Sequence, residues 1–161
     1  MRIYVPATLN ELDTVTGSTI DLEPRRAHTA TKELVAQYAA EDVTDIEEVE
    51  YGAHLAAAAD SLMLIAANPD VPWLRLIISV DVPDAAVGPA VPGSDEEDLS
   101  ASAVQILEPL KGVEIACVHV DEAEAAGDVQ GMFEGKDEAI DSLFERELLW
   151  YATSEIADIP R

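Results

Sequence analysis

The chain has 161 residues, which is the size of one ordinary domain. Its 33 acidic residues outnumber its 9 lysines and arginines, and the formal net charge is −24. This imbalance argues against nucleic acid and anionic membrane surfaces as partners, because both are bound through clustered basic residues. It does not indicate disorder, since 48% of the residues are hydrophobic and can form a core.

Cysteine content and the first residues favour a cytoplasmic protein. Cys117 is the only cysteine, so no disulfide can form within the chain, and its apolar neighbours predict a small buried side chain. No apolar run approaches the ~18 residues of a membrane span. Pro6 interrupts the first apolar residues too early for a signal peptide.

Hydrophobic periodicity and turn residues predict the elements of the first half. They are a strand at residues 3–5, a short helix begun by Thr8, a loop at 18–26, a short strand at 27–29, and helices at 31–40 and 45–67. The short helix is indicated by the capping-box pair Thr8 and Glu11. The long helix has acidic residues in its first turn and an apolar stripe that includes Ile46, Val49 and Met63.

The second half predicts strands at residues 73–82, 103–107 and 113–120, followed by helices at 123–133 and 136–152. In the last of these strands, alternation predicts Val113, Ile115 and Cys117 on one face. Residues 84–100 combine Pro, Gly and the acidic run 95–98, which predicts a mobile loop within a single domain at residues 1–161.

Strands and helices alternate only in part along the chain. This order predicts an α/β or α+β domain with one mixed sheet of about four to five strands and helices packed on its faces. It leaves open whether the layers number two or three.

Several motifs of known chemistry are absent from the sequence. There is no phosphate-binding loop, no Gly-x-Gly-x-x-Gly and no Gly-x-Ser-x-Gly, and one cysteine excludes multi-cysteine zinc sites. His54 follows Glu50 by one helical turn, which allows a metal pair but is more typical of a surface pair. We therefore predict no cofactor and no metal site.

The exit of strand 113–120 carries the best candidate catalytic residues, His119 and Asp121. Ligands bind at the carboxyl ends of strands in α/β sheets, and an imidazole held by a carboxylate can act as a general base. The alternative is that His119 only ends the strand and Asp121 caps the next helix.

Four further residues are candidate ligand-binding residues. Thr8, Asp81 and Asp84 lie at the exits of other predicted strands, and these exits converge if the strands run parallel. His28 lies in the short strand at 27–29 and would join the same cleft.

Trp150 and Tyr151 end the last predicted helix. Aromatic residues are enriched where proteins bind partners, so this pair is a candidate partner anchor. The alternative is that the two side chains close the core.

Four segments resemble a family of uncharacterised actinobacterial proteins of about this length. They are residues 1–9, 80–87, 118–123 and 147–156. The resemblance implies a bacterial, cytoplasmic protein and assigns no functional residue.

Two classes of function remain open from the sequence. The first is a small acidic cytoplasmic protein that acts by binding a protein partner or by self-association, with neither nucleic acid nor membrane as partner. The alternative is a small enzyme or ligand-binding domain with its site around His119 and Asp121. A third possibility is that the acidity is an adaptation to salt, which stability measurements in KCl would test.

Overall fold

The computed structural model describes residues 1–92 and 99–160, which form one antiparallel sheet with helices packed against it. The strands are β1 (Arg2–Ala7), β2 (Thr19–Leu22), β3 (Arg26–His28), β4 (Leu76–Asp81), β5 (Val87–Pro89), β6 (Ala103–Ile106), β7 (Leu110–Val120) and β8 (Leu149–Tyr151). The α-helices are α1 (Lys32–Ala40), α2 (Ile46–Ala67), α3 (Ala125–Phe133) and α4 (Asp137–Glu145). Short 3₁₀ helices span Leu9–Thr14, Asp84–Ala86 and Thr153–Asp158.

The sheet has the order β2-β7-β4-β1-β3-β6-β5, and β8 pairs with β7 beside this path. The mixed α/β class is confirmed, but the predicted mixed sheet of four to five strands is wrong: the described residues form eight strands, and their pairs are antiparallel. The missed strands β2, β5 and β8 have only three or four residues. A segment of three or four residues is too short to show the alternation of apolar and polar side chains that identifies a strand.

The central strands β1, β4 and β7 divide their side chains between two faces. One face of β4 presents Leu76, Ile78 and Val80 to the main hydrophobic core, as the alternation predicts. The opposite face carries polar side chains, among them Ser79, and lies beneath α2.

A β-bulge reverses the two faces of β7 midway along the strand. Ser79 pairs with Cys117 and Val80 pairs with Ile115, so Ala116 is the extra residue. Val113 and Ile115 therefore face the core before the bulge, and Val118 and Val120 face it afterwards. The prediction that Cys117 shares a face with Ile115 is wrong, because the bulge turns Cys117 and His119 toward α2.

Helix α2 is fixed to the sheet through a buried serine. Ser61 donates to the carbonyl of Ala7 at 2.8 Å and accepts from the backbone N–H of Leu76 at 3.0 Å. Small residues on the same face, Ala53 and Ala57, are fully buried and allow close approach. The predicted helix is confirmed, but Ile46 and Met63 of its expected stripe are exposed.

The predicted helix at residues 136–152 is wrong in its second half. Helix α4 ends at Glu145, and the following residues form β8, which pairs with β7 through Trp150 and His119. The backbone groups of β7 need partners, and the aromatic residues of β8 favour a strand. Tyr151 packs against the core, whereas the side chain of Trp150 is mostly exposed.

The segment at residues 84–100 contains regular structure where a continuous loop was expected. Asp84–Ala86 is a 3₁₀ helix and β5 pairs with β6. The acidic run at 95–98 lies outside the described residues, and the single-domain assignment stays a prediction. Within residues 1–92 and 99–160, no helix is both long and apolar enough to cross a bilayer.

Candidate functional site

A cleft of about 590 Å³ lies between the polar sheet face and the first two-thirds of α2, and we call it the α2 cleft. Its floor is formed by β1, β4 and β7, one wall by α2, and the other wall by the segment after α4. Its lining residues are Arg2, Tyr4, Glu47, Glu50, Tyr51, His54, Leu55, Ala58, Ala59, Arg75, Ser79, Cys117, His119, Phe144, Arg146, Glu147 and Leu148.

Two histidines face one another in the α2 cleft. His54 reaches down from α2 and His119 rises from β7, with their ring centroids 4.5 Å apart and their planes 77° apart. Tyr51 stacks on the His54 ring at 6.1 Å, and Tyr4 meets it edge to face at 5.9 Å. The imidazoles are thus held by aromatic packing and not by hydrogen bonds.

Burial keeps both imidazoles neutral near neutral pH. It lowers the pKa of His54 to about 4, with the positive charges of His119 and Arg75 acting in the same direction. Burial also lowers the pKa of His119. Each neutral ring retains one N–H donor and one nitrogen acceptor, so the pair can serve a ligand that both accepts and donates hydrogen bonds.

Four buried polar atoms at the α2 cleft lack a hydrogen-bond partner among the described residues. They are both ring nitrogens of His54, Nδ1 of His119 and Oγ of Ser79. Ser79 is only 1% exposed. Buried polar groups in folded proteins are nearly always paired, so this concentration at one place is unusual and points to a missing partner.

A buried ion pair forms one end of the α2 cleft. The Nε and Nη2 of Arg75 donate to the two carboxylate oxygens of Asp121, each at 2.8 Å, and both side chains are almost completely buried. Nη2 also donates to the backbone carbonyl of Leu143 at 3.2 Å. Arg75 thereby fixes the segment that forms the second wall, and Asp121 has no free oxygen for a substrate.

Two more arginines line the α2 cleft, and both are neutralised. Arg2 binds the carboxylate of Asp81 through two bonds of 3.0 Å, which lowers the pKa of Asp81. Arg146 binds Asp128 at 2.6 Å and also contacts Glu122. Three of the six arginines of this acidic chain therefore lie at one cleft, each already paired with a carboxylate.

Of the residues predicted as catalytic or ligand-binding, only His119 lines the α2 cleft. Thr8 begins the first 3₁₀ helix, where its backbone N–H donates to Glu11 at 2.9 Å. Asp81 is held by Arg2, and Asp84 lies 3.6 Å from the terminal amine. Thr8 after β1 and Asp121 after β7 leave the sheet at one edge, on either side of β4. Asp81 and Asp84 lie at the opposite edge, because antiparallel neighbours end at opposite edges of a sheet.

His28 lies in a separate polar network. Its Nε2 is 2.6 Å from Oδ2 of Asp60 on α2, and its Nδ1 is 2.8 Å from Oγ of Ser102. Oγ of Ser102 lies 2.8 Å from Oγ of Ser100. The roles predicted for His28, His119, Asp121 and the strand-exit residues as site residues remain predictions.

Sequence reasoning missed Ser79, Cys117 and Arg75 as residues of the cleft. Alternation along the predicted strand at 73–82 places Arg75 and Ser79 on the face opposite Leu76 and Ile78, which indicates that their side chains share one side of the sheet. No sequence pattern indicates that Cys117 faces the cleft, because the position of a β-bulge cannot be predicted within a continuous apolar run. Within the described residues, no three His, Cys, Asp or Glu side chains lie together as metal ligands.

Comparison with known proteins gives one match. The model of DUF6912, a family of unknown function, matches residues 1–159, which confirms the resemblance to an uncharacterised family. No curated protein and no solved structure matches the chain significantly.

Proposed function

Because the chain belongs to DUF6912, a family of unknown function, we propose its function from the chemistry of the α2 cleft. The protein binds a small organic molecule with an uncharged polar group and an apolar body. The single observation that carries this proposal is the set of four unpaired buried polar atoms on His54, His119 and Ser79. Each such atom costs roughly 1–3 kcal/mol, which a ligand that supplies partners would recover.

The charges around the α2 cleft favour an uncharged polar group. Both imidazoles are neutral because burial lowers the pKa of each ring. The Arg75 guanidinium is already matched by Asp121. A charged ligand group would lose its water shell without meeting an unpaired opposite charge, whereas a group with one donor and one acceptor matches a neutral imidazole.

The walls of the α2 cleft favour an apolar body on the same ligand. Leu55 and Ala58 of α2 face Phe144 and Leu148 of the other wall. The volume of about 590 Å³ is within the usual range for small-molecule sites.

Rotation of the His119 side chain changes which of its ring atoms face the α2 cleft. Turning the His119 ring by half a revolution about its Cβ–Cγ bond exchanges Nδ1 with a ring carbon. The torsion about the Cβ–Cγ bond of histidine has a broad, two-fold preference, so this rotation costs little free energy. The ligand would then replace the contact between the two imidazoles.

Replacement of Ser79 by alanine separates ligand binding from folding. Ser79→Ala removes a buried hydroxyl without a partner, so the free protein should be as stable as the parent or more stable. A bound ligand should gain less, because one of its partners is lost. Ser18→Ala, which removes an exposed hydroxyl bonded to Glu114, is the control.

The experiment is a thermal-shift screen of neutral aromatic amides, phenols and azoles against the parent and both variants. The thiol of Cys117, the only cysteine, lines the same cleft and reports occupancy through its rate of reaction with iodoacetamide. We expect hits that stabilise the parent, slow the reaction of Cys117 and act weakly on Ser79→Ala. A destabilised Ser79→Ala, or hits that leave Cys117 equally reactive, would contradict the proposal.

A protein partner is the second candidate occupant of the α2 cleft. Its rim exposes apolar side chains, with Tyr51 and Leu55 each 50% exposed and Phe144 62% exposed. Self-association through this rim should appear as a concentration-dependent mass in light scattering and should vanish in Phe144→Ser. Cytoplasmic location and actinobacterial origin stay predictions.

A further inference from the structure

A chain of four side chains leads from a partly exposed carboxylate through two buried groups to an exposed hydroxyl. Asp60 of α2 contacts Nε2 of His28 at 2.6 Å, Nδ1 of His28 contacts Oγ of Ser102 at 2.8 Å, and this oxygen contacts Oγ of Ser100 at 2.8 Å. His28 and Ser102 are 2% and 1% exposed, whereas Ser100 is exposed.

With His28 neutral, the chemistry of the groups sets one direction for these hydrogen bonds. The Asp60 carboxylate only accepts, so Nε2 of His28 carries the hydrogen that points to it. In the neutral imidazole, Nδ1 then has a free lone pair and accepts the hydroxyl hydrogen of Ser102. Oγ of Ser102 in turn accepts from the hydroxyl of Ser100. Each hydroxyl hydrogen therefore points toward the imidazole, as proton removal from Ser100 requires.

The serine end of this relay opens into a cavity of about 460 Å³. Most of its lining is apolar, with Val87, Leu99 and Val104 among the contributors, and Ser100 lies in the same wall. A network with only a structural role would need neither an exposed last hydroxyl nor a cavity beside it. The lining suits a short acyl chain.

The start of α1 lies at the same cavity. Thr31 and Glu33, in the first turn of α1, line it. The backbone N–H groups of Lys32 and Glu33 have no acceptor within the described parts of the chain. Such N–H groups at a helix start are the kind that stabilise the negative oxygen of a tetrahedral intermediate.

The turn that carries Ser100 is held in place. The N–H of Ala103 donates to the carbonyl of Ser100 at 3.0 Å, and the hydroxyl of Thr31 donates to the carbonyl of Ala101. Thr31 therefore ties the serine turn to the start of α1, which keeps nucleophile and donors together.

We propose that Ser100 is a nucleophile for acyl transfer from small esters, with His28 as general base acting through Ser102 and with Asp60 as a positioning residue. This site shares no residue with the α2 cleft, so a negative result for one proposal leaves the other unaffected.

The reaction needs only the ester and water as reactants. Oγ of Ser100 bonds to the acyl carbon, and its proton passes through Ser102 to Nδ1 of His28. The bond between the acyl carbon and the alcohol oxygen breaks, and the proton returns by the same path to the departing alkoxide. Water then attacks the acyl-serine, releases the carboxylic acid and restores the hydroxyl of Ser100.

The test uses a fluorophosphonate probe on the full-length protein, with mass spectrometry to locate the adduct. We expect an adduct on Ser100, none on the exposed Ser18, and none at this position in Ser100→Ala. Hydrolysis of p-nitrophenyl acetate should disappear in Ser100→Ala.

Asp60→Asn tests the relay while leaving the fold intact, because Asp60 is partly exposed. The amide can donate to Nε2 and so place the imidazole hydrogen on Nδ1, where it blocks acceptance from Ser102. Labelling should slow by more than about tenfold, with an unchanged unfolding temperature and partial recovery in Asp60→Glu. No adduct on Ser100 in the parent, or a smaller effect of Asp60→Asn, overturns the proposal.

Discussion

The imidazole rings of His54 and His119 stand nearly perpendicular with their centroids 4.5 Å apart, and no hydrogen bond joins them. Burial favours the neutral form of each ring, and charging both would in addition place two positive charges side by side. This relationship makes the stability of the fold depend on pH.

We expect the free energy of unfolding to fall as the pH drops from 6.5 to about 4. The folded state lowers the pKa of His54 to about 4 from 6.5, so between these values the unfolded chain binds more protons. At about 1.4 kcal/mol per pKa unit, the loss is on the order of 2–3 kcal/mol. Urea unfolding across this range measures it.

His54→Gln is the matched variant for this pH dependence, because glutamine does not titrate. Its free energy of unfolding should fall less steeply over the same range. The carboxylates with lowered pKa values, such as Asp81, titrate in both proteins and cancel from the comparison. Equal slopes in parent and variant would contradict a neutral, buried His54.

Breaking the buried ion pair should cost far more than breaking an exposed one. Asp121→Asn leaves the buried guanidinium of Arg75 without its counter-charge, and we expect a loss of about 3–5 kcal/mol. Asp81→Asn removes an equally well-formed pair with Arg2 at the surface, where the expected loss is under about 1 kcal/mol. Chemical denaturation of the two variants side by side checks the contrast, and similar losses would refute it.

Two glycines of α3 should respond to alanine with opposite signs. A Cβ on Gly131 would lie 2.5 Å from the Cβ of Ala139 on α4, so Gly131→Ala should destabilise by about 1–3 kcal/mol. A Cβ on Gly127 meets nothing within 4 Å, and Gly127→Ala should stabilise by about 0.5–1 kcal/mol through helix propensity. Thermal unfolding decides this, and a neutral Gly131→Ala would mean that α3 and α4 are packed less tightly.

Ser61→Ala should destabilise the fold by about 1–3 kcal/mol, because the carbonyl of Ala7 and the N–H of Leu76 both lose a buried partner. Hydrogen exchange at Leu76 should accelerate as well. Ser18→Ala, at an exposed hydrogen bond, should change stability by less than about 0.5 kcal/mol. A Ser61 variant as stable as the Ser18 variant would show that Ser61 does not fix α2.

The helices and long strands could be predicted because each has its own periodicity. The alternation around Ile78 and the capping residue Thr8 are local signals, and the structure bears them out. Strand β8 was missed because residues 149–151 depend on the free edge of β7, which is a tertiary contact. The helical spacing of Leu143, Leu148 and Tyr151 extended the predicted helix through them.

The candidate site was harder to predict than the fold. Convergence of the strand exits depended on strand direction, which a single sequence does not reveal. Asp121 was found, but its partner Arg75 lies 46 positions earlier and turns it into a structural anchor. The position of His119 in the α2 cleft depends on one inserted residue, Ala116, whose effect on alternation is invisible inside an apolar run.

Helix α2 is hydrogen-bonded to the sheet near its C-terminal end, so a tilt of the helix would displace its N-terminal end most. Ser61 pins it to β1 and β4, whereas the α2 cleft extends along it as far as Glu47, about 21 Å away at 1.5 Å per residue. A small tilt about Ser61 would widen the mouth of the cleft by several times the displacement at neighbouring Asp60. Opening of the α2 cleft by such a tilt would therefore leave the geometry around His28 nearly unchanged.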